Sequence, residues 1–403
     1  MAFIMITVLI DMVSIGLIIP VLPLVVGTFT SSPTEQAWWY GVVTITFGIA
    51  NFFASPVLGA LSDAHGRRPV LLLGFSGLAL SFIVTGLATA LWMLIAVRVF
   101  SGAMQANAAV ASAYVADISA PEERARRFGM LGAMFGIGFI LGPATGGLLG
   151  AIDVHLPFFV AGALAVLNWL YGWFVLPESL PPEKRQPFAW KRVHPFAALS
   201  GLSRLEGVGP LLWVVALASL AQFTLHTSWV LYTHFKFNWG PAEVGWSLFT
   251  VGAISAVVQG WLLKHMLARF SSRTLATVGL TASALTYLGF GLATEGWMMY
   301  AVIVVGGILG GGAQAAIQGL ISNAAKAHEQ GATAGSVASL NSLMAVLAPM
   351  VATPLLGLVS HLKATDVLMG LPFFFCAALQ AVGASVAYRF FRRRAAHEAA
   401  PSA

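Results

Sequence analysis

The sequence predicts an all-α membrane protein, with twelve transmembrane helices forming two six-helix pseudo-repeats. Three observations carry this. Hydrophobic residues make up 58% of the 403 residues and charged ones 9%, against roughly a quarter charged in soluble domains. Mean hydropathy is +0.84, so there are too few polar side chains to cover a water-facing surface. Apolar runs of spanning length, about 20 residues, recur along the whole chain, and matching stretches recur between its halves.

The predicted spans lie near 2–26, 37–61, 69–89, 91–116, 127–150 and 156–176, then near 210–233, 242–266, 273–293, 297–322, 332–359 and 366–390. The first has no basic leader and no small-residue cleavage site, and it carries Asp11. It therefore reads as a retained helix rather than a signal peptide. It starts almost at Met1, which leaves room for a few polar residues ahead of this numbering. The Pro- and charge-rich stretch 177–209 is expected to be a cytoplasmic linker with a short surface helix. It separates an N-terminal bundle, 1–176, from a C-terminal bundle, 210–391, and a tail follows at 392–403. The lone Cys376 allows no intrachain disulfide.

The halves repeat. ALWMLIAVRVFSG (90–102) matches EGWMMYAVIVVGG (295–307), aligning Trp92 with Trp297, and LGPATGGLLG (141–150) matches LAPMVATPLLG (347–357), aligning Pro143 with Pro349. Arg68 likewise aligns with Arg273. Parallel repeats joined by a long loop are the pattern of a transporter that rocks one half against the other.

With the N-terminus inside, 18 of the 21 Lys and Arg residues fall in inner loops or the tail, Lys236 and Lys363 fall outside, and Arg98 lies within a span. The positive-inside rule then puts both termini in the cytoplasm. This accounts for a pI near 9.7 through topology and anionic lipid, with no nucleic-acid partner. No GxxxxGK[ST] phosphate loop, HExxH metal site or nucleophile–base set at membrane depth is present. Neither an ATP-driven pump nor an intramembrane enzyme is indicated, and no metal or cofactor is expected. A monomer is the expected unit.

The charges left in hydrocarbon point to function. Of 15 acids only Asp11 is well inside a span, and Arg98 is the single deep base. At the helical rise, Asp11 lies about 14 Å from the inner end of span 1, and Arg98 about 10 Å from the outer end of span 4. Long side chains can bridge them if those spans are neighbours. An intramembrane ionisable residue is a functional candidate by default. Asp11 would carry a proton, with Arg98 setting its affinity; the plainer reading is a static ion pair that fixes packing.

The inner loop between spans 2 and 3 reads GALSDAHGRRPVLLLG (59–74). Asp63 can cap a neighbouring helix, and Arg67 and Arg68 can reach carboxylates or helix C-termini across the interface between halves. Gly59, Asp63, Gly66, Arg67 and Arg68 would then form a conformational latch, against the plainer reading of a solvated basic turn. In span 5, GIGFILGPATGGLLG (136–150) places Gly138, Gly142 and Gly146 at four-residue spacing with Gly147 beside them, a smooth face for close packing. Pro143 removes a backbone bond there.

The loop pattern resembles the signature of the major facilitator superfamily. The span-5 glycines, Asp11-x-x-Ser14 with Pro20 and Pro23, and Arg98-x-x-Ser101-Gly102 resemble its drug/proton antiporter branch. The chain looks most like the tetracycline-resistance efflux pumps, through SPVLGALSDAHGRRPVLLLG, ALWML, GPATGG, TSWVLYTHFKFNW and the AHEQGA turn (327–332). The resemblance implies proton-coupled export and carries functional polar roles onto Asp11, Asn51, Arg98 and Gln259. Where tetracycline-specialised members have acids in spans 3 and 9 and often a histidine in span 8, this chain has Ser81, Ser283 and Ser255, which argues against recognition of a metal–tetracycline complex.

Further cavity candidates are uncharged: Gln105 and Asn107 in span 4, Gln222, His226 and Trp229 in span 7, Gln314 and Gln318 in span 10, and Asn341 in span 11. Gln222 and His226 share a helix face, as do Gln314 and Gln318. The expected function is proton-driven efflux of a hydrophobic drug-like molecule, tetracycline being one candidate. The alternative is a carrier for an unidentified metabolite on the same fold.

Overall fold

The computed structural model describes residues 1–190, 209–324 and 330–399. The C-terminal part of the linker (191–208), residues 325–329 with the first half of the AHEQGA turn, and the last four residues lie outside the described residues. The described chain is all-helical, with twelve helical stretches long and apolar enough to cross a membrane and no β-strand among the described residues. The protein is a multi-pass membrane protein.

The first six spans are built from α1 (Ala2–Ile18) with α2 (Leu22–Gly27), α3 (Pro33–His65), α4 (Arg67–Gly86), α5 (Leu91–Met104) with α6 (Asn107–Asp117), α7 (Arg124–Ile152) and α8 (Leu156–Phe174). The next six are α9 (Gly209–Phe237), α10 (Pro241–Val257) with α11 (Leu263–Arg269), α12 (Ser272–Leu292), α13 (Gly296–Gly310) with α14 (Ala313–Ala324), α15 (Gln330–Val359) and α16 (Leu371–Ala399).

Local chemistry sets several boundaries. Ser32 Oγ accepts from the Glu35 amide at 3.2 Å, the Glu35 carboxylate accepts from the Ser31 amide at 2.8 Å, and Pro33 occupies the first turn. Together they make a reciprocal N-cap for α3. Span 1 breaks between α1 and α2, where Pro20 and Pro23 remove two backbone donors. Span 4 breaks at Gln105 without a proline, and span 10 breaks at Gly311, close to the position that aligns with it in the repeat. Span 8 carries a π-helical turn, Val258–Leu262, between α10 and α11.

The chain forms two compact units. Unit 1 takes Met1–His194 and Asn238–Gly252; unit 2 takes Pro195–Phe237 and Ala253–Ala403. In unit 1, α1 packs on α7 and α8, and α4 packs on α8 and α5; in unit 2, α9 packs on α15 and α16, and α12 on α16 and α13. These are the same pairings shifted by six spans, so the duplication read from sequence is repeated in packing. Ile4, Leu71, Phe75 and Tyr114 centre the first core, and Leu211, Leu280, Ile317 and Phe391 the second. The aligned pair Trp92 and Trp297 are 69% and 67% exposed at equivalent first turns, as befits rings at a membrane interface.

Candidate functional site

In unit 1 the deep acid has a partner, but not the expected one. Asp11, on the inward face of α1, is 5% exposed and packs among Thr7, Met12, Leu71, Phe75 and Phe135. Its carboxylate accepts a hydrogen bond from Asn107 Nδ2 at 3.1 Å. Asn107 is the first residue of α6 and is itself buried. The break in span 4 is what lets this side chain turn towards α1. Beside this pair, Asn168 of α8 donates to the Thr7 carbonyl at 3.0 Å and leaves its own Oδ1 without a partner. Asn168 was not singled out in the sequence, although an amide in the otherwise apolar sixth span is a visible signal.

The expected bridge between Asp11 and Arg98 is not made. No ion pair joins them among the described residues, because Arg98 lies on α5, before the break, while the acid is met by α6 after it. Arg98 is 9% exposed, its guanidinium carbon stands 5.7 Å from the ring centre of Phe47, and its Nε has no hydrogen-bond partner. It lines a cavity of about 240 Å³ together with Tyr40, Ser81, Ser101, Gln105 and apolar residues of span 1. Asn51 sits next to it: its Nδ2 donates to the Gln105 carbonyl and, at 3.4 Å, to the Gly102 carbonyl. Asn51 thus satisfies the Gln105 carbonyl at the break, and shares the Gly102 carbonyl with the Gln105 amide.

The span-5 glycines are places of close approach. A Cβ on Gly16 would come within 2.8 Å of the Gly142 Cα, and one on Gly142 within 2.7 Å of the Gly16 Cα. Gly138 and Gly146 similarly meet Met12 and Leu17, so α7 lies directly on α1, the helix that carries Asp11. Pro143 lies inside an unbroken α7, its ring against Gly16. Gly147 faces Gly245 of α10, where a Cβ would meet the Gly245 Cα at 2.9 Å. This contact accounts for the grouping of residues 238–252 with unit 1.

The charged loop is an ordered cluster. Arg67 is 9% exposed; its Nε donates to Asp117 at 2.9 Å, and its Nη1 donates to both Asp63 at 2.5 Å and Ser62 at 3.0 Å. Two expectations are corrected. Asp63 does not cap a neighbouring helix; Glu178 caps α4 instead, accepting from the Arg67 and Arg68 amides at 2.8 and 3.1 Å. A carboxylate suits that helix end. Nor do the described partners of Arg67 and Arg68 lie in the other half. Arg68 does reach a helix C-terminus, donating to the Gly172 and Trp173 carbonyls of α8, but within unit 1. Gly66 has φ of 107° and a Cβ there would strike Glu178, so glycine is required. Gly59 meets nothing within 4 Å and has no such reason.

Unit 2 brings together part of the predicted polar set. The Tyr287 hydroxyl donates to Gln222 Oε1 at 3.2 Å, and Gln222 Nε2 donates to His226 Nε2 at 2.8 Å. In this arrangement His226 Nε2 is the acceptor. Ser219 donates to Asn341 Oδ1 at 2.6 Å one turn away. Tyr287 and Ser219 were not anticipated. Trp229 is corrected from cavity to core: it is 4% exposed, edge-on to Phe290 and Phe373. Gln259 lies in the π-helical turn, and it, Gln314 and Gln318 have exposed side chains. Ser283 bonds its own helix, donating to the Gly279 carbonyl at 2.9 Å. No group of three His, Cys, Asp or Glu residues suited to a metal ion occurs among the described residues.

A family model described as Major Facilitator Superfamily matches residues 4–349. The chain belongs to the Major Facilitator Superfamily. Within that superfamily it is 35% identical over 350 residues to the tetracycline resistance protein, class C, of Escherichia coli, covering 86% of this chain and 87% of that protein. It is 38% identical over 343 residues to the class D protein of Salmonella ordonez, covering 85% and 86%. The crystal structure of nucleoside transporter NupG matches with a TM-score of 0.75 at 14% identity, over 97% of this chain and 98% of that one. This last likeness concerns the fold alone.

For this Major Facilitator Superfamily chain, the geometry separates two chemistries in unit 1. One is a buried carboxylate with an amide donor. The other is a buried guanidinium beside open space.

Proposed function

We propose that this chain exports a hydrophobic, drug-like small molecule across the bacterial cytoplasmic membrane in exchange for protons, by alternating access. It acts as a monomer, is not an enzyme, uses no cofactor beyond the proton gradient, and has both termini in the cytoplasm. The observation that carries the reading is the buried Asp11 carboxylate, held by a neutral amide and not by a cation. Such a group has no structural ion-pair role, and an intramembrane acid without one is best explained by proton binding. Close resemblance to proteins named for tetracycline resistance supplies the direction and the drug-like class.

In this reading a proton from the outer side adds to Asp11 and accompanies substrate release, and its loss to the cytoplasm resets the carrier. The Asp63–Arg67–Asp117 cluster ties the inner ends of spans 2, 3 and 4 together so that they move as one piece, and the α1–α7 glycine contact transmits movement to the helix that bears the acid.

The test uses inverted membrane vesicles energised by respiration, with tetracycline and then a panel of lipophilic compounds added. Substrate-induced proton release by the native chain, abolished in Asp11→Asn, is the expected result. Release that survives the substitution moves the proton site elsewhere. Failure of every compound to move protons favours the metabolite carrier.

A further inference from the structure

The cavity in unit 1 is out of charge balance. Its volume is about 240 Å³, and its wall is apolar around Phe47, Leu78 and Phe82, with Ser81 and Gln105 as neutral polar groups and Arg98 as a cation. Arg98 is nine-tenths buried, has an Nε without a hydrogen-bond partner, and takes part in none of the ion pairs found among the described residues. A guanidinium withdrawn from water needs an anion or several acceptors. The Phe47 face at 5.7 Å supplies only a part of that. Asp11, the other deep charge, is taken up by Asn107 among a different set of side chains.

We propose that this cavity is a binding subsite for the acidic end of an amphiphilic organic anion. A carboxylate, sulfonate or enolate oxygen pairs with Arg98, and an attached ring lies against Phe47, Leu78 and Phe82. The guanidinium offers a planar set of donors matched to two oxygens at once. The size agrees, since whole drug sites occupy roughly 300–1,000 Å³ and this cavity takes one ring system with its acid. A ligand of net positive charge would meet a like charge with no acid on the wall to offset it. The inference rests on the export reading and narrows its substrate class from hydrophobic to hydrophobic and anionic.

The experiment measures equilibrium binding, by dialysis, to the full chain purified in detergent. The probes are 1-naphthoate, 1-naphthamide and 1-naphthylmethylammonium, which share a ring system and differ in charge. The native chain should bind naphthoate at least tenfold tighter than either of the others. Arg98→Gln removes the cation and Ser81→Asp adds a neutralising acid to the same wall. Each should erase the preference, while Arg98→Lys should keep a weakened one and shows that loss is not misfolding. Equal affinity for naphthoate and naphthamide in the native chain, or full preference in Arg98→Gln, overturns the proposal. Lost preference with intact drug-driven proton release removes this subsite and leaves the export reading; intact preference without proton release does the reverse.

Discussion

Asn107 Nδ2 donates to Asp11 across 3.1 Å, from the first residue of a helix that restarts after the break at Gln105. The interruption of span 4 and the partner of the deep acid are therefore one feature. An unbroken fourth span would carry residue 107 round with the helix and leave the carboxylate among apolar neighbours such as Leu71, Phe75 and Phe135.

Asn107→Leu should accordingly impair coupling more than folding. A hydrogen bond to a charged group contributes about 1.5–3 kcal/mol, so transport driven by a proton gradient should fall roughly tenfold or more. The membrane-inserted amount should stay near that of the native chain. The check is drug uptake into inverted vesicles normalised to protein by immunoblot.

Gly66→Ala tests the charged loop. The substitution forces a side chain into the left-handed region at φ of 107° and against Glu178. Strain of this kind costs about 1–3 kcal/mol, so the thermal unfolding midpoint of the detergent-purified protein should fall measurably. Gly59→Ala, which meets open space, should leave the midpoint unchanged.

Gly142→Val should separate α7 from α1. A Cβ already falls 2.7 Å from the Gly16 Cα, and interiors packed this closely absorb added carbons only by moving backbone. Loss of transport with expression retained, or loss of both, is expected, whereas Gly132→Val, where an added Cβ meets nothing within 4 Å, should be tolerated. The comparison is drug resistance conferred on a sensitive host.

Tyr287→Phe removes the hydroxyl that holds Gln222, which in turn orients His226. Bonds of this sort in membranes contribute about 0.6–2 kcal/mol. If the group meets substrate, KM should rise several-fold with little change in maximal rate. Initial-rate transport over a concentration series reads this directly.

The twelve spans and their duplication were legible because each is a long apolar run, and because Trp92 and Trp297 mark equivalent first turns. The buried Asp11 and Arg98 were legible by cost alone, since any charge in hydrocarbon stands out. Their pairing was not. It depended on a break at Gln105 that no proline or glycine at that position announces. Glu178 was hidden for a different reason: a carboxylate in a charged linker looks solvated until the fold brings it to the α4 amides. Trp229 misled because an aromatic beside polar residues has the same pattern in a cavity wall as in a core, and only packing against Phe290 and Phe373 distinguishes them.

Proton antiport through Asp11 is read most directly with purified protein in proteoliposomes loaded with a pH-sensitive dye and given a substrate identified in the vesicle assay. Proton movement opposite to substrate is expected in the native chain, and substrate binding without proton movement in Asp11→Asn. Proton movement of native size in Asp11→Asn would contradict antiport through that residue.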